Sequence, residues 1–107
     1  MALGPGPVLE ETAARFALLG DPTRLLLVGL LLERGECAVT ELAEAAAISV
    51  ANASQHLRRL ALGGIVGRRR SGQQVRYRVV EASIEQLCAI VCASVQDRAR
   101  LLESTGQ

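Results

Sequence analysis

The chain has no lysine and no tryptophan, and its only aromatic side chains are Phe16 and Tyr77. All 12 basic residues are therefore arginines, and a core has to be assembled from leucine, alanine and valine. No apolar run approaches the roughly 20 residues that a membrane span requires. The opening Met1-Ala2-Leu3-Gly4-Pro5-Gly6-Pro7 lacks the basic flank and apolar stretch of a secretory signal, so a cytoplasmic location is expected. Three cysteines, Cys37, Cys88 and Cys92, are too few and odd in number for a disulfide framework. In a reducing compartment they are free thiols, ligands or redox-active groups. There is one histidine, His56, no glycine-rich phosphate loop and no paired-carboxylate arrangement, so an enzyme is not expected. Gly63-Gly64 reads as a helix terminator instead of a phosphate cradle.

Half of the residues are hydrophobic, which excludes general disorder, and 107 residues fit one domain. The net charge of +1 conceals a strong segregation. Between Ala45 and Val80 stand seven arginines (Arg58, Arg59, Arg68, Arg69, Arg70, Arg76 and Arg78) and no acidic residue, while all 11 acids lie elsewhere. Such asymmetry marks a candidate for polyanion binding; a solvated arginine face is the reading that charge alone leaves open.

Hydrophobic spacing divides the chain into elements. Residues 1–8 read as a flexible arm, residues 9–103 as the folded domain and residues 104–107 as a tail. Leu9, Ala13, Phe16 and Ala17 define a first amphipathic helix that Gly20 ends. Asp21-Pro22 supplies an N-cap and a first-turn proline for a second helix that runs to about Arg34. Its leucines make it apolar nearly all round, which predicts a central position. Thr40 is the expected cap of a short third helix, and Glu41 and Glu44 suit its dipole. After Ala47-Ile48, Ser49 caps a fourth helix with Val50, Ala53, Leu57 and Leu60 on one face and Asn52, Gln55, Arg58 and Arg59 elsewhere. The period then changes to two: Val66–Arg70 and Gln74–Val79 form a hairpin around Ser71-Gly72-Gln73. A last helix from about Ala82 to Leu102 carries Ile84, Leu87, Cys88, Val91, Val95 and Leu102 as an apolar stripe. Helices two to four already serve the core, so this stripe and the first helix are expected to face a second subunit.

The order α-α-α-α-β-β-α, mainly helical with a two-stranded β-hairpin wing, is a winged helix-turn-helix. Several stretches carry a closer likeness. They are Ala17-Leu18-Leu19-Gly20-Asp21-Pro22-Thr23-Arg24-Leu25, Val39-Thr40-Glu41-Leu42-Ala43-Glu44, Ile48-Ser49, and Ser54-Gln55-His56-Leu57-Arg58-Arg59-Leu60. Gly64-Ile65-Val66 and the wing residues Arg69-Arg70-Ser71-Gly72 and Val75-Arg76-Tyr77-Arg78 complete the set. In this order and spacing the chain, over residues 9 to 102, resembles the ArsR/SmtB family of small dimeric bacterial repressors. The resemblance implies a homodimer on double-stranded DNA. Independently, the second helix of a helix-turn-helix enters the major groove, and two copies about one turn apart imply a near-palindromic operator. Ser49, Val50, Ala51, Asn52 and Gln55 stand at that helix's start; Asn and Gln can bond adenine in bidentate fashion, and small apolar groups can meet a thymine methyl. Ser54 and His56 are candidate phosphate donors, although a structural hydrogen bond serves His56 equally well. Arg58, Arg59, Arg68, Arg69, Arg70, Arg76 and Gln73 would contact the flanking backbone. A winged-helix module that binds protein is the competing reading.

Many members of the resembled family release DNA when a signal binds. Where one of their sites has Cys-Val-Cys, this chain has Ala38-Val39-Thr40, with Cys37 out of register. At another, on the last helix, this chain has Glu81-x-Ser83 and Ser94-x-x-Asp97, without either histidine. Dithiol sensors of this type place their cysteines near positions occupied here by Leu30 and Gln96. The chain's own thiols remain. Cys88 and Cys92 lie one helical turn apart, and Cys37 is expected at the start of the third helix. Three thiolates would suit a soft ion such as As(III) or Cd(II); two could form a disulfide in response to oxidants or persulfides; buried cysteines are also common as inert packing. The expected function is a repressor released from its operator by one of these signals.

Overall fold

The computed structural model describes residues 3–105. Their elements follow in the order α1 (Pro7–Leu19), α2 (Pro22–Arg34), β1 (Cys37–Ala38), α3 (Val39–Ala46), α4 (Val50–Leu62), β2 (Val66–Ser71), β3 (Gln74–Val79) and α5 (Ala82–Thr105). Of the expected N-terminal arm, Met1 and Ala2 lie outside the described residues, and α1 opens at Pro7, inside the stretch read as arm. Proline's fixed φ suits a first helical residue, and its missing N–H is no loss there. Of the expected C-terminal tail, Ser104 and Thr105 are helical, and Gly106 and Gln107 lie outside the described residues.

Local chemistry accounts for the helix boundaries. Asp21 Oδ2 accepts the Arg24 backbone N–H at 3.0 Å and Pro22 follows at the first helical position, while Gly35, at φ 82°, ends α2. Ser49 Oγ accepts the Asn52 N–H at 3.0 Å and so caps α4. The turn between α3 and α4 is closed by Ala47 at φ 57°, ψ 44°, with the Ile48 N–H on the Ala43 carbonyl at 3.0 Å. This is the left-handed helix ending usually taken by glycine. Thr40, expected to cap α3, instead lies within it. Glu41 reaches back to the Ala38 N–H at 3.1 Å and does the capping.

The core gathers around one face of α4. Ala53, Leu57 and Leu60 are fully buried against Leu27, Val28 and Leu31 of α2, Leu42 of α3, Ile65 and Tyr77. Val50, grouped with that face by periodicity, is 48% exposed at the first position of α4. Nor is α2 buried all round. Its stripe Leu27, Val28 and Leu31 is in the core, whereas Leu25 and Leu26 are 44% and 47% exposed.

The wing hairpin pairs Val66 with Val79 through Ser71 with Gln74, and Gly72 at φ 61° stands first in the two-residue turn, as a II′ geometry requires. The sheet has a strand that periodicity did not reveal: β1, two residues long, pairs Cys37 with Tyr77 and Ala38 with Arg76, giving the order β1-β3-β2. A lone hairpin is marginal; here the third strand anchors it to the end of α2.

The Cα radius of gyration is 15.9 Å, with extents of 53 × 41 × 20 Å, against about 13 Å for a compact domain of this length. The excess comes from α5, which is anchored by the buried Ile84 and exposed from Ala89 onward. On the same side, Phe16, Val91 and Val95 are 56%, 51% and 62% exposed.

Two predictions follow from this packing. Leu57→Ala removes a fully buried side chain at the centre of the core and should destabilise the fold by about 2–5 kcal/mol, read as a lower midpoint in urea at fixed protein concentration. The Asp21 carboxyl is held below the ordinary value of 3.8, first by its bond from the Arg24 N–H. A lowered carboxyl stabilises the fold fully above its ordinary value, and that contribution is lost as pH falls through the lowered one. Melts of wild type and Asp21→Ala should therefore differ by a constant amount above about pH 5 and converge below about pH 4; a gap unchanged at low pH would show that the charge is not what stabilises the cap.

Candidate functional site

With Ala53, Leu57 and Leu60 turned inward, the helical period places Ala51, Asn52, Gln55, Arg58 and Arg59 outward, and all five are exposed, as is Val50 in the first turn. Ser49 is exposed as well, but its hydroxyl already serves the cap. The sequence-predicted reading surface on α4 is thus one continuous strip. Ser54 and His56 are only half-buried and sit at its margin.

His56 is committed within the protomer. Its Nδ1 lies 3.4 Å from Arg24 Nη1, and Arg24 Nε donates to the Leu18 carbonyl at 2.9 Å. Guanidinium has only donors, so in this contact Nδ1 takes the acceptor's part. This chain of bonds ties α4 to the α1–α2 junction. Arg24 stands in one of the family-like stretches but is not read from sequence as a site residue, and its spacing of 32 residues from His56 leaves no local signal.

The wing divides its arginines into two groups. Arg68, Arg70 and Gln73 are exposed. Among the described residues, Arg58, Arg59, Arg68, Arg70 and Arg78 have no carboxylate within ion-pairing distance. Arg69 and Arg76, expected to be available for phosphate, are instead engaged by acids from the α2–α3 segment. Glu36 accepts from Arg69 Nε at 2.7 Å and Nη2 at 3.0 Å. Arg76 donates to the Glu36 carbonyl at 3.2 Å and to Glu41 Oε1 at 3.4 Å. The bond from Arg69 is the main reason the Glu36 carboxyl is held below its usual range, with the charges of Arg69, Arg76 and Arg78 adding to it. The acid-free stretch read from sequence therefore receives two carboxylates in space.

The cysteines do not converge as a trio. Cys37 lies in β1, not at the start of α3, and is 3% exposed beneath the sheet. Among the described residues no group of three or more His, Cys, Asp or Glu side chains is placed to hold a metal ion. A three-thiolate site within one protomer is therefore not formed, because the pairing of Cys37 with Tyr77 turns it into the core. Cys88 and Cys92 line one groove of 600 Å³ together with Phe16, Leu25, Gly29, Val91 and Val95. Cys88 is half-buried and Cys92 exposed. Burial pushes the Cys37 and Cys88 thiols up from their ordinary value, and Cys92 adds to the rise at Cys88.

Among the described residues no helix is long and apolar enough to cross a membrane. Residues 19–69 match the family described as a helix-turn-helix domain. The chain is 37% identical over 94 residues to the probable mercury resistance operon repressor of Streptomyces lividans, an alignment covering 88% of this chain and 74% of that protein. Among solved structures, the homodimeric winged helix-turn-helix DNA-binding domain of Mb0332 from Mycobacterium bovis superposes with a TM-score of 0.76 at 31% identity, over 91% of this chain and 92% of that one. The antimony-specific transcriptional repressor AntR gives a TM-score of 0.84 at 26% identity, over 94% and 90% of the two chains.

Proposed function

This chain belongs to the ArsR/SmtB family of winged helix-turn-helix transcriptional regulators, whose fold it shares and whose relatives bind DNA, and on that premise we propose that it is a cytoplasmic homodimeric repressor released from a near-palindromic operator by a thiophilic metal or metalloid. The DNA-binding part of this reading is carried by the exposed strip of α4 beside the unpaired arginines of α4 and the wing. Asn52 and Gln55 read base edges, Val50 and Ala51 pack on thymine methyls, and Arg58, Arg59, Arg68 and Arg70 with Gln73 meet the backbone. Ser49 and His56 hold the helix in place, and Ser54 lies at the edge of the contact.

The dimer rests on the uncovered apolar side made by Phe16, Leu25, Val91 and Val95. A protein without such a partner would expose these side chains to water, and a two-fold pair buries them with one repeated contact. Pairing through α1 and α5 sets the two recognition helices in fixed relation, about one duplex turn apart.

For the signal, the thiols favour metal over disulfide. Residues four apart on a helix have Cβ atoms about 5–6 Å apart, whereas a disulfide needs about 3.5–4.5 Å. A bridging soft ion with metal–sulfur bonds of about 2.3 Å spans that separation without unwinding α5. The mercury- and antimony-linked names belong to the relatives; they support a soft ion here without selecting one. Such an ion must bind the DNA-incompetent dimer more tightly than the competent one.

Two measurements test the reading. Asn52→Ala should weaken binding to the chain's own upstream DNA by about 1–3 kcal/mol while leaving binding to mixed-sequence duplex unchanged; equal losses on both would remove Asn52 from base reading. Cys88→Ser combined with Cys92→Ser should leave metal-free DNA binding intact and abolish release by arsenite, mercuric or cadmium ions in a gel shift. An undiminished response in that double variant places the sensor elsewhere, and release by an oxidant alone would favour a dithiol switch.

A further inference from the structure

Arg69 and Arg76 are Cα partners across the antiparallel hairpin. Like charges directly opposite one another on neighbouring strands repel, so this pair needs an anion between its guanidinia. Glu36 supplies one. Its carboxylate takes two bonds from Arg69, at 2.7 Å and 3.0 Å, and lies 3.8 Å from Arg76 Nε. A carboxylate gripped by an arginine fork has the same charge-assisted, bidentate geometry as a phosphate held by one. We propose that Glu36 is a built-in competitor for DNA phosphate: it occupies the anion position between Arg69 and Arg76 in the free protein and restrains the wing's affinity for DNA until a duplex displaces it.

The placement suits that role. The side chains of Arg69 and Glu36 are 58% and 30% exposed, so solvent reaches the pair and it is readily exchanged. Arg76 is held more firmly, with the Glu36 carbonyl and Glu41 as further acceptors. The arginines without a carboxylate partner are left to attract any duplex, whereas Arg69 and Arg76 add their charge only when the wing is seated closely enough to replace Glu36. The competitor thus weakens loose encounters more than seated ones.

This inference rests on the DNA-binding reading, and its test separates the two. Affinity for a fluorescent mixed-sequence duplex is measured across a salt series for wild type, Glu36→Gln, Arg69→Ala and the double variant, each checked for folding by circular dichroism. Glu36→Gln should bind more tightly, with the slope of log affinity against log salt steeper by about 0.9 for each arginine released. Between about 50 and 200 mM salt, its advantage over wild type should shrink about 3.5-fold per released arginine. Arg69→Ala alone should change the slope less than it does in the Glu36→Gln background. Because Glu36→Gln leaves two like charges facing each other, the comparison within the Arg69→Ala background is the safeguard. That repulsion is absent there, and removing the carboxylate 3.8 Å from Arg76 Nε should still raise affinity, with a smaller change of slope because Arg76 keeps the Glu36 carbonyl and Glu41. An unchanged or lower affinity and slope in both backgrounds would show that Glu36 only braces the wing and would overturn the proposal. Wild type failing to bind any duplex would overturn the DNA-binding reading itself, and the competitor with it.

Discussion

Burial of one face of α4 is the constraint from which the rest of the molecule follows. Ala53, Leu57 and Leu60 are each wholly removed from water. A helix has only one rotational setting that does this, and in that setting Asn52, Gln55 and Arg59 have nowhere to point but outward. The apolar residues of α4 therefore select its polar surface. The residues around the helix hold that setting: Ala47 closes the turn before it, Ser49 accepts the Asn52 N–H, and Arg24 contacts His56 from the α1–α2 junction.

A second theme is the separation of the protomer into a closed half and an open half. The core around α2, α3, α4 and the sheet is complete, with no buried polar or charged residue among those described. The side formed by α1, the start of α2 and the outer length of α5 is apolar but uncovered. Cys88 and Cys92 lie in its groove, so a soft ion bound there sits beside the surface on which the subunits would meet. The same α2 whose Leu25 and Gly29 line that groove leads, through Gly35, to Glu36 and the wing. α2 thus runs from the groove that holds the thiols to the segment that meets the arginine cluster.

Much of the fold was legible because its signals are local. Asp21-Pro22, Ser49 and the change from a helical period to alternation after Gly64 are each contained within a few residues, and the elements they announce are present. The errors share one cause. Thr40 looked like a cap and Glu41 performs that task; Leu25 and Leu26 looked buried and are exposed; β1 was not seen because two residues carry no period. In each case the outcome depends on a neighbour far along the chain. Cys37 shows this most clearly, since pairing with Tyr77 draws it into the core and away from Cys88 and Cys92.

By itself the sequence determined which residues would be helical, where the wing would turn and which face of α4 would carry polar side chains, because caps, glycines and hydrophobic spacing act over one or two turns of chain. Only the tertiary structure decided which arginines are left bare. Arg69 and Arg68 are neighbours in sequence with the same charge, yet alternation sends them to opposite faces of the sheet, and only one face meets the acids that follow α2. Charge acts through space, and the 33 residues between Glu36 and Arg69 are spanned by folding alone.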